Sequence, residues 1–346
     1  MTYPESEQIG QLIAEAQHIL IMQADNPDAD SLASALALEA ILGDLGKEPA
    51  LYCGVHVPDY LHYLPGWDRV SNELPARFDL SIIVDTSADS LFGILNGDRG
   101  RTVVASKPCI ILDHHAVELS IPYATVTCNP EAVATGEVIY ELALQLGWPV
   151  NLEAKKYLTT SIMADSQGLT TEATTSRSIG IISELVGGGV SIAELEYKRR
   201  LLMRKSPELL AYKGRLLQRI EYHADGRLAT VTIPWDEIQE YSHAYNPSML
   251  VMEDMRGVTG VGTVIAFKLY KDGKITAKIR SNLGAAIAGN LAEHFGGGGH
   301  RYASGFKMTD GRTFEELKAD CIRTATDLLD ALPASVDSPD GGAVAK

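Results

Sequence analysis

The chain has 346 residues, 45% of them hydrophobic and 22% charged, the balance of a globular protein of two domains. No apolar run approaches the roughly 20 residues of a membrane span, and the opening Met1-Thr2-Tyr3-Pro4-Glu5-Ser6-Glu7 lacks the basic and apolar segments of a signal peptide. A formal net charge of -15 argues against a protein that tracks long nucleic acid, so a nucleic-acid substrate is expected to be short and gripped locally.

Residues 5–17 read as an amphipathic helix and His18 to Gln23 as a strand. An acidic turn follows, Asp25-Asn26-Pro27-Asp28-Ala29-Asp30-Ser31, and then a helix rich in Ala and Leu over 31–45, closed by Gly46. Taken alone, the turn has a reading that needs no metal, with Asp as a helix N-cap. Ala50 to Cys53 reads as a second strand and Pro58 to Pro65 as an irregular, aromatic-bearing connection. Ile82 to Val84 and Cys109 to Leu112 are short continuous apolar runs, the mark of strands covered on both faces. The first ends in Asp85 and the second in Asp113-His114-His115. Thr135-Gly136-Glu137 opens a helix over 138–146. A further helix over 152–163 leads to Asp165, and another over 176–187 ends in three glycines. Residues 191–222 read as a charged helical connector. From Arg227 the pattern turns to β, with strands over 228–233, 263–270 and 274–280 and a hairpin at Lys271-Asp272-Gly273. A helix ends near Phe295, four glycines precede His300, and a closing helix spans 313–331. No internal repeat is present.

Three strands of one α/β unit thus end in acids or imidazoles, and the carboxyl ends of parallel strands share one sheet edge. Asp28, Asp30, Asp85, His114 and Asp165 make a set of four carboxylates and one imidazole. Mixed oxygen and nitrogen donors suit Mn²⁺ or Mg²⁺, with Mn²⁺ favoured by the imidazole. Asp85, the sole acid on the middle strand, is the natural bridge between two ions, which together clamp a phosphoryl displacement. His115 is placed to hydrogen-bond a phosphate oxygen and Asp113 to orient a neighbouring imidazole. Gly296 to Gly299, read as a loop, expose backbone N–H groups to an anion, with Arg280 and His300 adding local positive charge. Cys53, Cys109, Cys128 and Cys321 form no C-x-x-C pair and read as reduced, mostly buried thiols of a cytoplasmic protein.

The order N-P-D-x-D-S, V-D-T-S, D-H-H, A-D-S and then G-G-G-G-H-x-x-A-S-G resembles the DHH phosphoesterases that carry a DHH-associated C-terminal domain, and among them the short-oligonucleotide phosphodiesterases. The resemblance spans residues 10 to 330. It implies an α/β fold, with a parallel-sheet catalytic domain over 1–187, a helical connector over 188–224 and a smaller α/β substrate-binding domain over 225–332. It places the active site in the cleft between the domains and leaves a disordered tail over 333–346. It implies a manganese-dependent phosphodiesterase that hydrolyses short RNA or DNA oligonucleotides, including linear dinucleotides, and 3′-phosphoadenosine 5′-phosphate, with homodimers among its relatives. Asp28, Asp85 and a preceding His would hold one ion, and Asp30, Asp85, His114 and Asp165 the other. His115 would contact the scissile phosphate. Arg280, Ser281, Gly297, Gly298, Gly299 and His300 would hold the rest of the nucleotide. One position departs from the family pattern: the His expected four residues before Asp28 is Ala24. A cyclic-dinucleotide phosphodiesterase and a non-catalytic nucleotide-binding protein are the competing readings.

Overall fold

A computed structural model describes residues 2–96, 99–115, 119–242 and 245–332. The expected tail over 333–346 lies outside the described residues. The chain divides into two compact units between Arg204 and Lys205.

The first unit runs α1 (Ser6–Glu15), β1 (His18–Gln23), α2 (Ala29–Asp44), β2 (Glu48–Cys53), β3 (Leu80–Val84), α3 (Gly93–Asn96), α4 (Gly100–Ala105), β4 (Cys109–Leu112), β5 (Val126–Cys128), α5 (Thr135–Leu146), α6 (Leu152–Asp165), α7 (Ser176–Gly187) and α8 (Ile192–Leu202). Its five strands are parallel, in the order β2-β1-β3-β4-β5. Parallel strands are covered on both faces, which is why β1, β3 and β4 are apolar without alternation. Successive residues serve different cores. Ile19, Ile21, Ile82, Val84 and Leu112 pack beneath α2, α5 and α6, whereas Leu20, Met22, Ile83 and Ile111 meet Phe92, Leu95 and Val104. Pro49 is accommodated because β2 is an edge strand. Leu32, Leu36 and Ile41 of α2 are fully buried, and truncating such a leucine to alanine typically costs about 2–5 kcal/mol.

The second unit runs α9 (Pro207–Gln218), β6 (Glu221–His223), β7 (Leu228–Ile233), α10 (Trp235–Tyr241), α11 (Met252–Arg256), β8 (Thr263–Leu269), β9 (Ile275–Ser281), α12 (Ala288–His294), β10 (Gly298–His300), β11 (Ala303–Met308) and α13 (Phe314–Asp330). Its sheet is mixed, ordered β10-β11-β9-β8-β7-β6, with β7 and β8 parallel and the other pairs antiparallel. One face packs on α12 and α13, the other on α9, α10 and α11.

Several boundaries differ from the sequence expectation, each for a local reason. The helical stretch over 191–222 breaks because Ser206 caps a new helix with Pro207 in its first turn. Helix α6 continues to Asp165, so that acid stands on a helix end rather than after it. Part of the glycine run is the edge strand β10 rather than a loop. A Cβ on Gly297 would lie 2.3 Å from the Gly305 carbonyl oxygen, and Gly299 has φ +135, so both positions require glycine for close pairing with β11. All four cysteines are free and buried. Among the described residues no single helix is long and apolar enough to cross a membrane.

Candidate metal centre

The strand order reverses direction between β1 and β3, and ligands of open α/β sheets gather at such a switch point. The segments carrying Asp30, Asp85 and His114 follow β1, β3 and β4, three adjacent strands whose carboxyl ends share one edge.

The imidazole of His114 is the hub. Its Nδ1 lies 3.2 Å from the Ala132 carbonyl oxygen, which can only accept, so Nδ1 carries a proton and Nε2 is turned toward the acids. That Nε2 is buried without a hydrogen-bond partner. It stands 3.2 Å from Asp165 Oδ2, 3.5 Å from Asp85 Oδ1 and 3.6 Å from Asp30 Oδ2.

Each acid is held by neighbours. Asp30 is fully buried in the first turn of α2, where the helix dipole favours a carboxylate. It accepts from Ser34 Oγ, Ser161 Oγ and the Thr135 backbone N–H. Asp85 accepts from Thr135 Oγ1 at 3.0 Å and adopts φ 64, a left-handed conformation that aspartate tolerates better than most residues. Asp165 occupies the last position of α6, the negative end of that helix dipole, where an anion is favourable only opposite a cation. Gly136 lets Ser161 approach: its N–H donates to Ser161 Oγ at 2.9 Å, and a Cβ there would sit 2.1 Å from the same oxygen.

The electrostatics are unfavourable without a cation. Burial, and then Asp165, raises the pKa of Asp30; burial, and then Asp30, raises that of Asp85 well above the usual carboxylate range. Burial opposes the charge on His114, but its contacts with Asp165, Asp85 and Asp30 outweigh burial and hold it up to about 11. Among the described residues, two groups of donors have ligand atoms within 4.8 Å of one another, Asp30-His114-Asp165 and Asp85-His114-His115. Three carboxylates around an imidazole nitrogen that lacks a partner are a fitting donor set for a hard divalent ion.

Beside this hub lies a second chain of contacts. Asp113 is buried, accepts from Ser87 Oγ through Oδ2, and takes both backbone N–H groups of His114 and His115 on Oδ1. His115 Nδ1 donates to the same Oδ1 at 2.8 Å and lies 3.8 Å from Asp85 Oδ1. Burial would raise the Asp113 pKa, but the bonds from His115 and Ser87 overcome it and hold the group below its ordinary value. A cavity of about 990 Å³ is lined by Ala29 and Ala164, the chain neighbours of Asp30 and Asp165, and by Tyr60, Tyr63, Tyr157 and Met163.

Not every expected residue joins the cluster. Asp28 is exposed, and its carboxylate accepts from the Ser31 N–H in a capping box, so the helix-cap reading of the turn describes its contacts. Asp25 accepts from the Ile94 N–H at 2.8 Å through Oδ2, and its Oδ1 is buried without a hydrogen-bond partner.

In the second unit, cross-strand register aligns His300, Ala303 and Arg280 on one face, while Ser281 is buried on the opposite face beside Thr263 Oγ1 at 3.0 Å. The face of Arg280 also carries Lys278 and, diagonally, Lys268. All three are half-buried. Burial, and then Lys278, holds Lys268 down to about 8; burial and Arg280 lower Lys278; burial and Arg256 lower Arg280. Sequence reasoning missed both lysines, although Lys278 and Arg280 alternate with apolar residues along β9. It also missed Ser34, Ser161 and Thr135, whose role depends on helices far apart in sequence.

An ion that binds His114 displaces the Nε2 proton, so affinity for Mn²⁺ is expected to climb with pH across the neutral range, roughly tenfold per unit for each proton released. In the metal-free protein, stabilisation from charged His114 is complete below the ordinary value of 6.5 and is lost as pH rises through about 11. Calorimetric titration in buffers of different ionisation enthalpy measures the released proton directly. A pH-independent affinity would exclude His114 as the displaced group.

Residues 18–165 match the DHH family, N-terminal domain. The chain is 28% identical over 289 residues to the bifunctional oligoribonuclease and PAP phosphatase NrnA of Thermus thermophilus, the match covering 81% of each chain. It is 24% identical over 306 residues to the protein of the same name from Bacillus subtilis, covering 87% of this chain and 93% of that one. Among solved structures, an exopolyphosphatase-related protein from Bacteroides fragilis superposes with a TM-score of 0.82 at 21% identity, over 94% of this chain and 97% of the other, a likeness of fold.

Proposed function

Because residues 18–165 are a DHH-family N-terminal domain, we propose that this protein is a metal-dependent phosphoesterase that hydrolyses short oligonucleotides and linear dinucleotides to mononucleotides. The proposal extends to removal of the 3′ phosphate from 3′-phosphoadenosine 5′-phosphate, the two activities in the names of its relatives from Thermus thermophilus and Bacillus subtilis. The observation that carries it is the convergence of Asp30, Asp85 and Asp165 on the Nε2 of His114. Those residues would hold the ion, with Mn²⁺ preferred for the mixed donor set. The ion supplies Lewis-acid stabilisation of charge on a phosphoryl oxygen. His115, fixed through Nδ1 by Asp113, presents its other ring nitrogen to that phosphate and donates to it in the imidazolium form. The tyrosine-lined cavity that includes Ala29 and Ala164 is of a size that admits a nucleoside.

The basic face of Lys268, Lys278 and Arg280 supports recognition of a further phosphate, since half-buried cations crowded together are relieved by an anion. Lys278→Ala is expected to raise KM for a 5′-phosphorylated dinucleotide by about 10-fold with little change in kcat, the loss of one charged hydrogen bond. Steady-state kinetics at two salt concentrations test this, because the effect should shrink as salt rises. An unchanged KM would remove Lys278 from the binding surface.

The test of the function as a whole is hydrolysis of a labelled 5′-phosphorylated RNA dinucleotide with Mn²⁺, beside a long single strand, cyclic di-adenylate and 3′-phosphoadenosine 5′-phosphate. Rapid release of mononucleotide from the dinucleotide, with the long strand nearly untouched, is the expected result. Turnover of the cyclic dinucleotide alone, or of no substrate, would overturn it.

A further inference from the structure

We infer that the sheet of the second unit carries a three-step phosphate ladder that fixes how long an oligonucleotide it grips, with one phosphate of the strand at each step. This rests on the oligonucleotide reading of the same basic face. Cross-strand register lays out the steps. At the first, Arg280 of β9 stands beside Ala303 of β11, which pairs with His300 of β10. At the second, Lys278 stands beside Gly305, which pairs with Gly298. At the third, Thr276 stands between Lys307 of β11 and Lys268 of β8. Residues paired across strands share a face, as do alternate residues along one strand, so all three steps belong to one surface. Burial along β9 agrees: Thr276, Lys278 and Arg280 are half-buried, while Ile275, Ala277, Ile279 and Ser281 are buried.

Successive steps are two strand residues apart, about 6.8 Å. Two residues of polypeptide contain as many skeletal bonds as one nucleotide repeat from phosphate to phosphate, so an extended nucleotide strand keeps pace with β9. The floor between the cations is low, because Gly298, Ala303 and Gly305 carry at most a methyl group, and a strand can lie close to it. Helices α9, α10 and α11 pack over Val231, Val264 and Ala266 of this face, whereas Gly298, His300 and Lys307 beyond them are exposed. Among the described residues, Lys268, Lys278, Arg280 and Lys307 have no salt-bridge partner, in a protein of net charge -15. Lys278 Nζ lies 3.7 Å from Met249 Sδ, and Arg280 Nη1 donates to the Ile279 carbonyl. Glu253, the acid that acts on Arg280, is paired with Arg256 at 3.0 Å. Unpaired cations spaced at the phosphate repeat are the complement of a short single strand.

The experiment measures binding by the full chain in chelator, where no metal-dependent hydrolysis intervenes. Unlabelled 5′-phosphorylated RNAs, from the mononucleotide to the pentanucleotide, compete with a fluorescent pentanucleotide at several salt concentrations. Affinity is expected to rise by about 10-fold with each phosphate up to the trinucleotide and then to level off. The slope of log affinity against log salt should steepen by about 0.7 for each phosphate over the same range. The double variant Lys268→Gln, Lys307→Gln should bring the trinucleotide to the Kd of the dinucleotide and leave the dinucleotide within about 3-fold, whereas Lys278→Gln should weaken both by about 10-fold. Gains that continue past the trinucleotide overturn the ladder. So does a series with no step between mononucleotide and trinucleotide, or a double variant that weakens the dinucleotide as much as the trinucleotide. A stepped series without hydrolysis when Mn²⁺ is restored would overturn the phosphoesterase reading and leave the ladder standing; a flat series beside rapid hydrolysis would do the reverse.

Discussion

Asp85→Asn is expected to lower turnover of a 5′-phosphorylated dinucleotide by at least about 1000-fold, the loss of several kcal/mol of Lewis-acid stabilisation. Asparagine is the informative replacement. It keeps the shape of the side chain and tolerates the left-handed backbone at φ 64, so the variant should fold. It removes the charge that burial and Asp30 make costly. The metal-free variant should therefore melt at a higher temperature than the unaltered protein, while binding Mn²⁺ more weakly. A group whose folded pKa is raised contributes stability that is full below its unfolded value and lost as pH rises through the folded one. The gain in melting temperature should accordingly be present at neutral pH and fade in acid. Thermal melts in chelator at two pH values, metal content and kcat together make the test. Retention of near-normal turnover would remove Asp85 from the centre, and a loss of turnover with no change in metal affinity would assign it another role.

Asp113→Asn is expected to reduce kcat by about 100-fold with metal content unchanged, the upper range for a residue that orients another. Asparagine preserves the carbonyl oxygen that accepts from the backbone N–H groups of His114 and His115, and its amide can still meet Ser87 Oγ. What it removes is the negative charge facing His115 Nδ1 at 2.8 Å. His115→Gln should cost at least as much. Since the two residues act as one unit, the double variant should fall no further than His115→Gln alone. Additive losses would separate Asp113 from His115. A loss confined to KM would make the pair a binding device rather than one that acts on the reacting phosphate.

The sequence by itself determined the elements around the site, because the signals are local. An unalternating apolar run such as Ile19-Leu20-Ile21-Met22 can satisfy its backbone and bury both faces only inside a parallel sheet. The acid or imidazole after each of three such runs therefore had to reach one sheet edge. Only the tertiary structure decided which side chains converge there. Asp28 and Asp30 are two residues apart, yet the first faces solvent as a cap and the second is buried, because the start of α2 turns successive side chains in different directions. Arg280 and Ser281 are neighbours in the chain and lie on opposite faces of β9, a consequence of strand pleating and of which face α12 and α13 cover. Ser161 reaches Asp30 across 131 positions of sequence through the packing of α6 on α2, with Gly136 making room, and no local pattern encodes such a contact. Local propensity and period act over a few residues, whereas the direction and partner of a buried polar side chain follow from close packing of distant segments.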